Sequence, residues 1–156
     1  MRLSPHFTLD EFARSGTARA RKIDNTPPEW VVVNLKRLAT ELEKVRELCG
    51  GKPLAIKSGF RCKELNVAVG GSLYSYHMLG LAADFDPPGG FTHDQLQHMI
   101  DDDKNIIFDK IIEESAKDGA HWLHFQVPRA EDRPRRLALD AQLERQGGAI
   151  MRITAG

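Results

Sequence analysis

The chain has 156 residues, enough for one domain with a real core and too few for two full-sized domains and a linker. Its 22 basic and 22 acidic side chains cancel, so no global field points to specific nucleic-acid binding or to an anionic membrane surface. The two cysteines, Cys49 and Cys62, are few and have no Cys-x-x-Cys spacing, so neither a disulfide framework nor a thiolate zinc site is indicated, and no stretch approaches the ~20 apolar residues of a membrane span.

From the N-terminus, Arg2 is not followed by a long apolar run, so the expectation is synthesis in the cytoplasm without a secretory signal. Thr8 with Glu11 three residues later is a capping-box pattern that predicts a short helix ending near Ser15 and Gly16. Thr26 reads as the cap of a second helix with Pro27 and Pro28 in its first turn. Val31, Leu35, Leu38, Leu42, Val45 and Leu48 recur at spacings of three and four, which carries that helix to about Cys49, where Gly50 and Gly51 stop it. Residues 53–61 are short, apolar and bounded by Gly and Pro, and predict a strand whose closing turn presents Ser58 and Arg61. One or two helical turns follow over 62–69, then a loop at Gly70-Gly71-Ser72.

Residues 82–86 read as a strand broken by Pro87 and Pro88. Residues 92 to about 101 read as a helix with Leu96, Met99 and Ile100 inward; His93 and His98, five apart, read as solvated surface residues. Residues 106–114 and 121–127 are strand-like and predict an antiparallel hairpin. The alternation sends Trp122, His124 and Gln126 to one face and Leu123, Phe125 and Val127 to the other. Residues 1–128 are thus expected to form the domain proper. Residues 129–156 read as a charged C-terminal extension packed on it or trailing from it, with a helix over 137–146 and a last short strand over 149–154.

The stretch from Ser75 to Asp84 carries the chemistry. It sets an imidazole, His77, seven residues before a carboxylate, Asp84, with Gly80, Ala82 and Ala83 between them where bulk would crowd a small ion; Gly80 and Ala82 are best explained as space for close backbone approach. The segment His121-Trp122-Leu123-His124 offers a third ligand. Two histidines and a carboxylate are a standard set for catalytic zinc, which lowers the pKa of water towards ~7 and polarises a carbonyl. Spacing alone leaves three readings open: zinc hydrolase, structural metal site, or no metal.

The pattern Ser75-x-His77-x-x-Gly80-x-Ala82-x-Asp84, followed by a strand carrying Trp122-x-His124, resembles the zinc D-alanyl-D-alanine carboxypeptidases, the vancomycin-resistance D,D-dipeptidases and the phage L-alanyl-D-glutamate endopeptidases. Hedgehog signalling domains share their fold. The resemblance extends to residues 3–12, Asp24 to Pro28, Ser58 to Arg61 and Phe108 to Ile112, and is closest to the phage and prophage branch. It implies an α+β fold with helices packed on a small antiparallel sheet.

It also implies that His77, Asp84 and His124 hold zinc and that Arg61 grips a substrate carboxylate or the developing oxyanion, to which its fork of donors is suited. Ser75 is expected to orient substrate or support its loop, and Trp122 to pack beside the site. In many relatives a carboxylate stands three residues before the last histidine ligand; here that position is His121. Glu114, across the hairpin, is the other candidate base.

The expected function is hydrolysis of a peptide bond in bacterial peptidoglycan, in the stem peptide or cross-bridge. The setting would be phage or prophage lysis after holin release, or a virion. The competing reading is a non-catalytic wall-binding or virion structural protein that keeps the fold and the metal site.

Overall fold

A computed structural model describes residues 1–132. The helix and strand expected over 137–146 and 149–154, with most of the 129–156 extension, lie outside the described residues. The chain opens with a small hairpin, β1 (Arg2–Ser4) and β2 (Phe7–Thr8), which runs into helix α1 (Leu9–Ala13). Helices α2 (Gly16–Arg21) and α3 (Glu29–Leu48) follow, then strand β3 (Ala55–Ser58), helix α4 (Lys63–Ala68) and strand β4 (Ala82–Asp86). Helix α5 (His93–Asp102) leads to strands β5 (Lys110–Ser115) and β6 (His121–Gln126). The four later strands form one antiparallel sheet in the order β3-β4-β6-β5. The fold is α+β, helices against a small antiparallel sheet.

Alternation along the strands gives the sheet two different faces. Ile56, Ala83, Phe85, Ile111, Leu123 and Phe125 point into a core shared with Val31, Leu35, Leu38, Leu42 and Val45 of α3 and with Leu96 and Ile100 of α5. Each of the large α3 side chains contributes about 1.5–3 kcal/mol through burial. The opposite face carries Asp84, Ile112, Glu114, Trp122, His124 and Gln126 and forms the floor of an open cleft.

Several boundaries differ from the sequence expectation. Thr8 and Glu11 do make the capping box, but α1 ends at Ala13, because Ser15 begins a separate helix by accepting the Ala18 N–H at 3.1 Å. Helix α2 buries only Ala18, and so gave no apolar period to read. Thr26 does not cap α3: its hydroxyl donates to Asp24 at 2.6 Å, and Pro28 occupies the cap position.

The segment expected to be strand from Ile106 joins the ladder only at Lys110. Glu41, buried on α3, accepts the Ile107 N–H at 2.9 Å, and Ile106 and Phe108 enter the core as irregular chain. His98 is surface-exposed as expected. His93 is half-buried, its ring stacked on His121 with centroids 5.5 Å apart.

Candidate metal centre

Strands β4 and β6 pair so that Asp84 stands directly opposite His124, both on the cleft face. His77 reaches the same point from a one-turn 3-10 helix, Tyr76–Leu79, immediately before β4. Ser75 caps that turn by accepting the His77 N–H at 3.2 Å, and Gly80 closes it in the left-handed conformation at φ 73°. The space left by the small residues between His77 and Asp84 serves close approach to the neighbouring helix and core rather than an ion. A Cβ on Gly80 would lie 2.7 Å from Val31 Cγ1, and Ala83 is buried in the core, so their size lets the turn and strand seat against α3 and the core.

His77, Asp84 and His124 each offer a ligand atom, all within 4.8 Å of one another, and all three residues are buried. The donor set passes a test of fit. Nδ1 of His77 lies 2.7 Å from the carbonyl oxygen of Gly59, which can only accept, so the ring proton sits on Nδ1. Nε2 therefore carries a bare lone pair; it is fully enclosed, has no hydrogen-bond partner and stands 3.3 Å from Asp84 Oδ1. A buried lone pair facing a carboxylate is costly unless a cation lies between them.

A relay missing from the sequence reading fixes the other imidazole. Gln126 donates from Nε2 to Asp109 Oδ2 at 2.9 Å, which turns its Oε1 to accept from His124 Nε2 at 3.0 Å. Nδ1 of His124 is left facing Asp84 Oδ1 at 3.0 Å and Glu114 Oε1 at 3.4 Å. Ring nitrogens held by such outer partners are the usual arrangement around a metal. Gln126 shared the polar side of β6 with His124, a visible signal; nothing in the local sequence linked it to Asp109.

The same geometry sets the charges. Burial pushes Asp84 upward, but hydrogen bonding to His124 and the adjacent His77 outweighs it and holds the carboxyl well below the usual range. Burial pulls His77 below its ordinary value, so it stays neutral near pH 7. Burial also works against charge on His124, yet the hydrogen bond and charge of Asp84, with Gln126 and Glu114, raise it above the ordinary value. Without a metal, a proton on His124 Nδ1 takes the place of the cation between His124 and Asp84.

The other expected residues divide between the two faces of the sheet. Glu114 lies on the cleft floor, its Oε1 accepting from Trp122 Nε1 at 3.2 Å. Arg61 lines the same cleft. Its backbone N–H bonds the His77 carbonyl at 3.2 Å, its Nη1 donates to Asn66 at 3.2 Å, and its buried Nε has no hydrogen-bond partner. Burial depresses the Arg61 guanidinium, opposed by the charges of Asp84 and Glu114. Ser75 and Trp122 also line the cleft. His121 does not reach it: it begins β6 on the other side of the sheet, exposed, 3.2 Å from Glu113.

The motif from Asp24 to Pro28 gains a physical role. Asn25 donates to the carbonyls of Ala13 and Phe60 and accepts the Cys62 N–H at 2.8 Å, clamping the turn that carries Gly59 and Arg61.

No curated protein matches the chain. A family model described as Peptidase M15 matches residues 5–109, more than half of the chain, from the first hairpin through Arg61, His77 and Asp84 to Asp109 of the relay. With a buried His-Asp-His cluster on the floor of an open cleft, the chain belongs to the Peptidase M15 family.

Proposed function

We propose that the protein is a zinc-dependent peptidase that hydrolyses a peptide bond in bacterial peptidoglycan. The observation that carries this reading is the bare Nε2 of His77 facing Asp84 in a cleft that also holds a carboxylate, Glu114, and a guanidinium, Arg61. His77 through Nε2, Asp84 through Oδ1 and His124 through Nδ1 would hold the metal. Zinc there would supply a Lewis acid that polarises a carbonyl and makes water nucleophilic near neutral pH.

The chain's own groups do the remainder. Glu114 uses Oε1 for its contacts with Trp122 and His124, which leaves Oε2 to take a proton from water in the cleft and return it to the leaving amine. Arg61 points spare donors at an oxygen of the substrate, either a carboxylate or the carbonyl oxygen as it gains charge. Gly59, Gln126 and Asp109 hold the two imidazoles in the required tautomers. A carboxylate beside the cluster favours catalysis over a binding-only role.

The wall peptide as substrate is supported by family membership and by the motif set around His77, Asp84 and His124. The phage or prophage setting belongs to this proposal and rests on the motif resemblance over residues 3–12 and 108–112. Metal analysis after exhaustive dialysis tests the site. One equivalent of zinc is expected in the parent protein and almost none in His124→Ala; full occupancy without His124 would remove it from the ligand set.

A further inference from the structure

Arg61 is a cation in the field of two anions. The charges of Asp84 and Glu114 both act on its guanidinium, and a long, flexible side chain so placed would ordinarily fold onto one of them. It does not. Among the described residues neither carboxylate forms an ion pair with Arg61: Asp84 lies against His77 and His124, and Glu114 against His124 and Trp122. Closed on Glu114, Arg61 would neutralise the proposed base; closed on Asp84, it would compete with a metal for its ligand.

The neutral amide of Asn66 holds the guanidinium elsewhere. Asn66 is one of two buried residues of α4, with 2% of its surface exposed. An amide so enclosed needs partners, and this one has them. Its Oδ1 accepts from Arg61 Nη1 at 3.2 Å, its Nδ2 donates to the Ser72 carbonyl at 2.8 Å, and its backbone carbonyl accepts the Gly71 N–H at 2.8 Å. The amide can face only this way, because a guanidinium only donates and a carbonyl oxygen only accepts. Gly71 completes the seat: a Cβ there would strike Asn66 Oδ1 and lie 2.7 Å from Arg61 Nη1. The backbone end of Arg61 is fixed as well, by the bond of its N–H to the His77 carbonyl and by the Asn25 clamp. Nη2 makes no hydrogen bond among the described residues and is left for an incoming oxygen.

We propose that Asn66 is a positioning residue for substrate binding: it holds the Arg61 guanidinium against the 70–72 loop, so that the spare donors meet the substrate instead of closing on Asp84 or Glu114. The inference rests on the reading of Arg61 as the group that grips a substrate oxygen. An arginine side chain has several free rotations, and a charge-assisted bond to one fixed oxygen removes most of them before the substrate arrives. Order of that kind is worth about tenfold to a hundredfold in kcat/KM.

The test is a double-mutant cycle on the zinc-loaded full chain, read by the release of new amino groups from solubilised peptidoglycan fragments. Asn66→Ala should keep the parent's zinc content and lower kcat/KM by about tenfold or more, with the loss in the same parameter, kcat or KM, as in Arg61→Ala. In the Arg61→Ala background it should cost nothing further. No loss in Asn66→Ala, or an equal loss with and without Arg61, would overturn the positioning role and leave the Arg61 reading standing. Arg61→Ala with parent kinetics would overturn both. Asn66→Asp keeps an acceptor for Arg61 and loses the donor to Ser72, so it should recover most of the loss. A fall as deep as in Asn66→Ala, or of about tenfold where Asn66→Ala does not fold, would assign Asn66 to the loop and overturn the proposal. If the parent cuts nothing, side-chain NMR of the Arg61 guanidinium, identified by its absence in Arg61→Lys, decides the matter. Slow rotation that is lost in Asn66→Ala supports the positioning role, and the same rotation in both proteins overturns it.

Discussion

Glu114 Oε1 lies 3.4 Å from Nδ1 of His124, the nitrogen that also faces Asp84, and is pinned there by the indole N–H of Trp122. A carboxylate so placed is within one water of the candidate metal centre, as a general base must be. Glu114→Gln keeps an oxygen for Trp122 and should retain full zinc while kcat falls by about 10²–10⁴-fold. His121→Ala, on the other face of the sheet, should leave kcat within a few-fold. Metal analysis and steady-state kinetics on both variants check the pair, and the reverse pattern would transfer the base role to His121.

Metal binding should carry a definite pH dependence. Asp84 is already ionised and His77 already neutral near pH 7, so the proton a metal must displace is the one on His124 Nδ1. Because the His124 value is raised, the apparent zinc affinity should still be climbing at about pH 6.5, by roughly tenfold per pH unit, and level off only above the raised value. In the metal-free protein the same shift gives stability that is fully present below the unfolded value of ~6.5 and is lost as pH rises through the folded one. Calorimetry in buffers of different ionisation enthalpy should count about one proton released per zinc. A count near zero or two would show that the charges are assigned wrongly.

The relay from Asp109 through Gln126 to His124 should control metal affinity without touching the metal. Gln126→Leu removes the acceptor for His124 Nε2 and should weaken zinc binding by about 10–100-fold. The exchange Gln126→Glu with Asp109→Asn keeps an acceptor towards His124 and a donor behind it, and should restore most of that loss. Chelator competition gives both constants, and an unchanged affinity in Gln126→Leu would reduce the relay to packing.

Gly80 tests how the site is seated on the helix layer. Its φ of 73° and the 2.7 Å approach that a Cβ would make to Val31 leave no room for a side chain. Gly80→Ala should cost about 1–3 kcal/mol in denaturant unfolding and loosen the His77 turn, lowering zinc affinity as well. A fully stable variant would mean that α3 yields easily at this point.

Elements with a strong local code were legible in the sequence. The apolar repeat from Val31 to Leu48 gave α3, and the alternation from Trp122 to Val127 placed His124 and Gln126 on the face opposite Leu123 and Phe125. What escaped depends on contacts between distant segments. Ile107 fails to join a strand because Glu41 takes its N–H, and α2 has too little buried surface to leave a period. The face of His121 is different: the alternation that puts Trp122 and His124 over the cleft already puts His121 on the opposite face, away from Glu114. The clamp made by Asn25 joins residues 13, 25, 60 and 62, a link visible only in three dimensions.

In the proposed function, a metal held by His77, Asp84 and His124 serves peptide hydrolysis. The most direct measurement is the release of new amino groups from purified peptidoglycan by the zinc-loaded protein, by the chelator-stripped protein, and by the stripped protein after zinc is restored. Steady release by the loaded protein, loss on stripping, and recovery with one equivalent of zinc are expected. A protein that holds stoichiometric zinc at these residues yet releases no amino groups, or releases them equally well when stripped, would contradict that function.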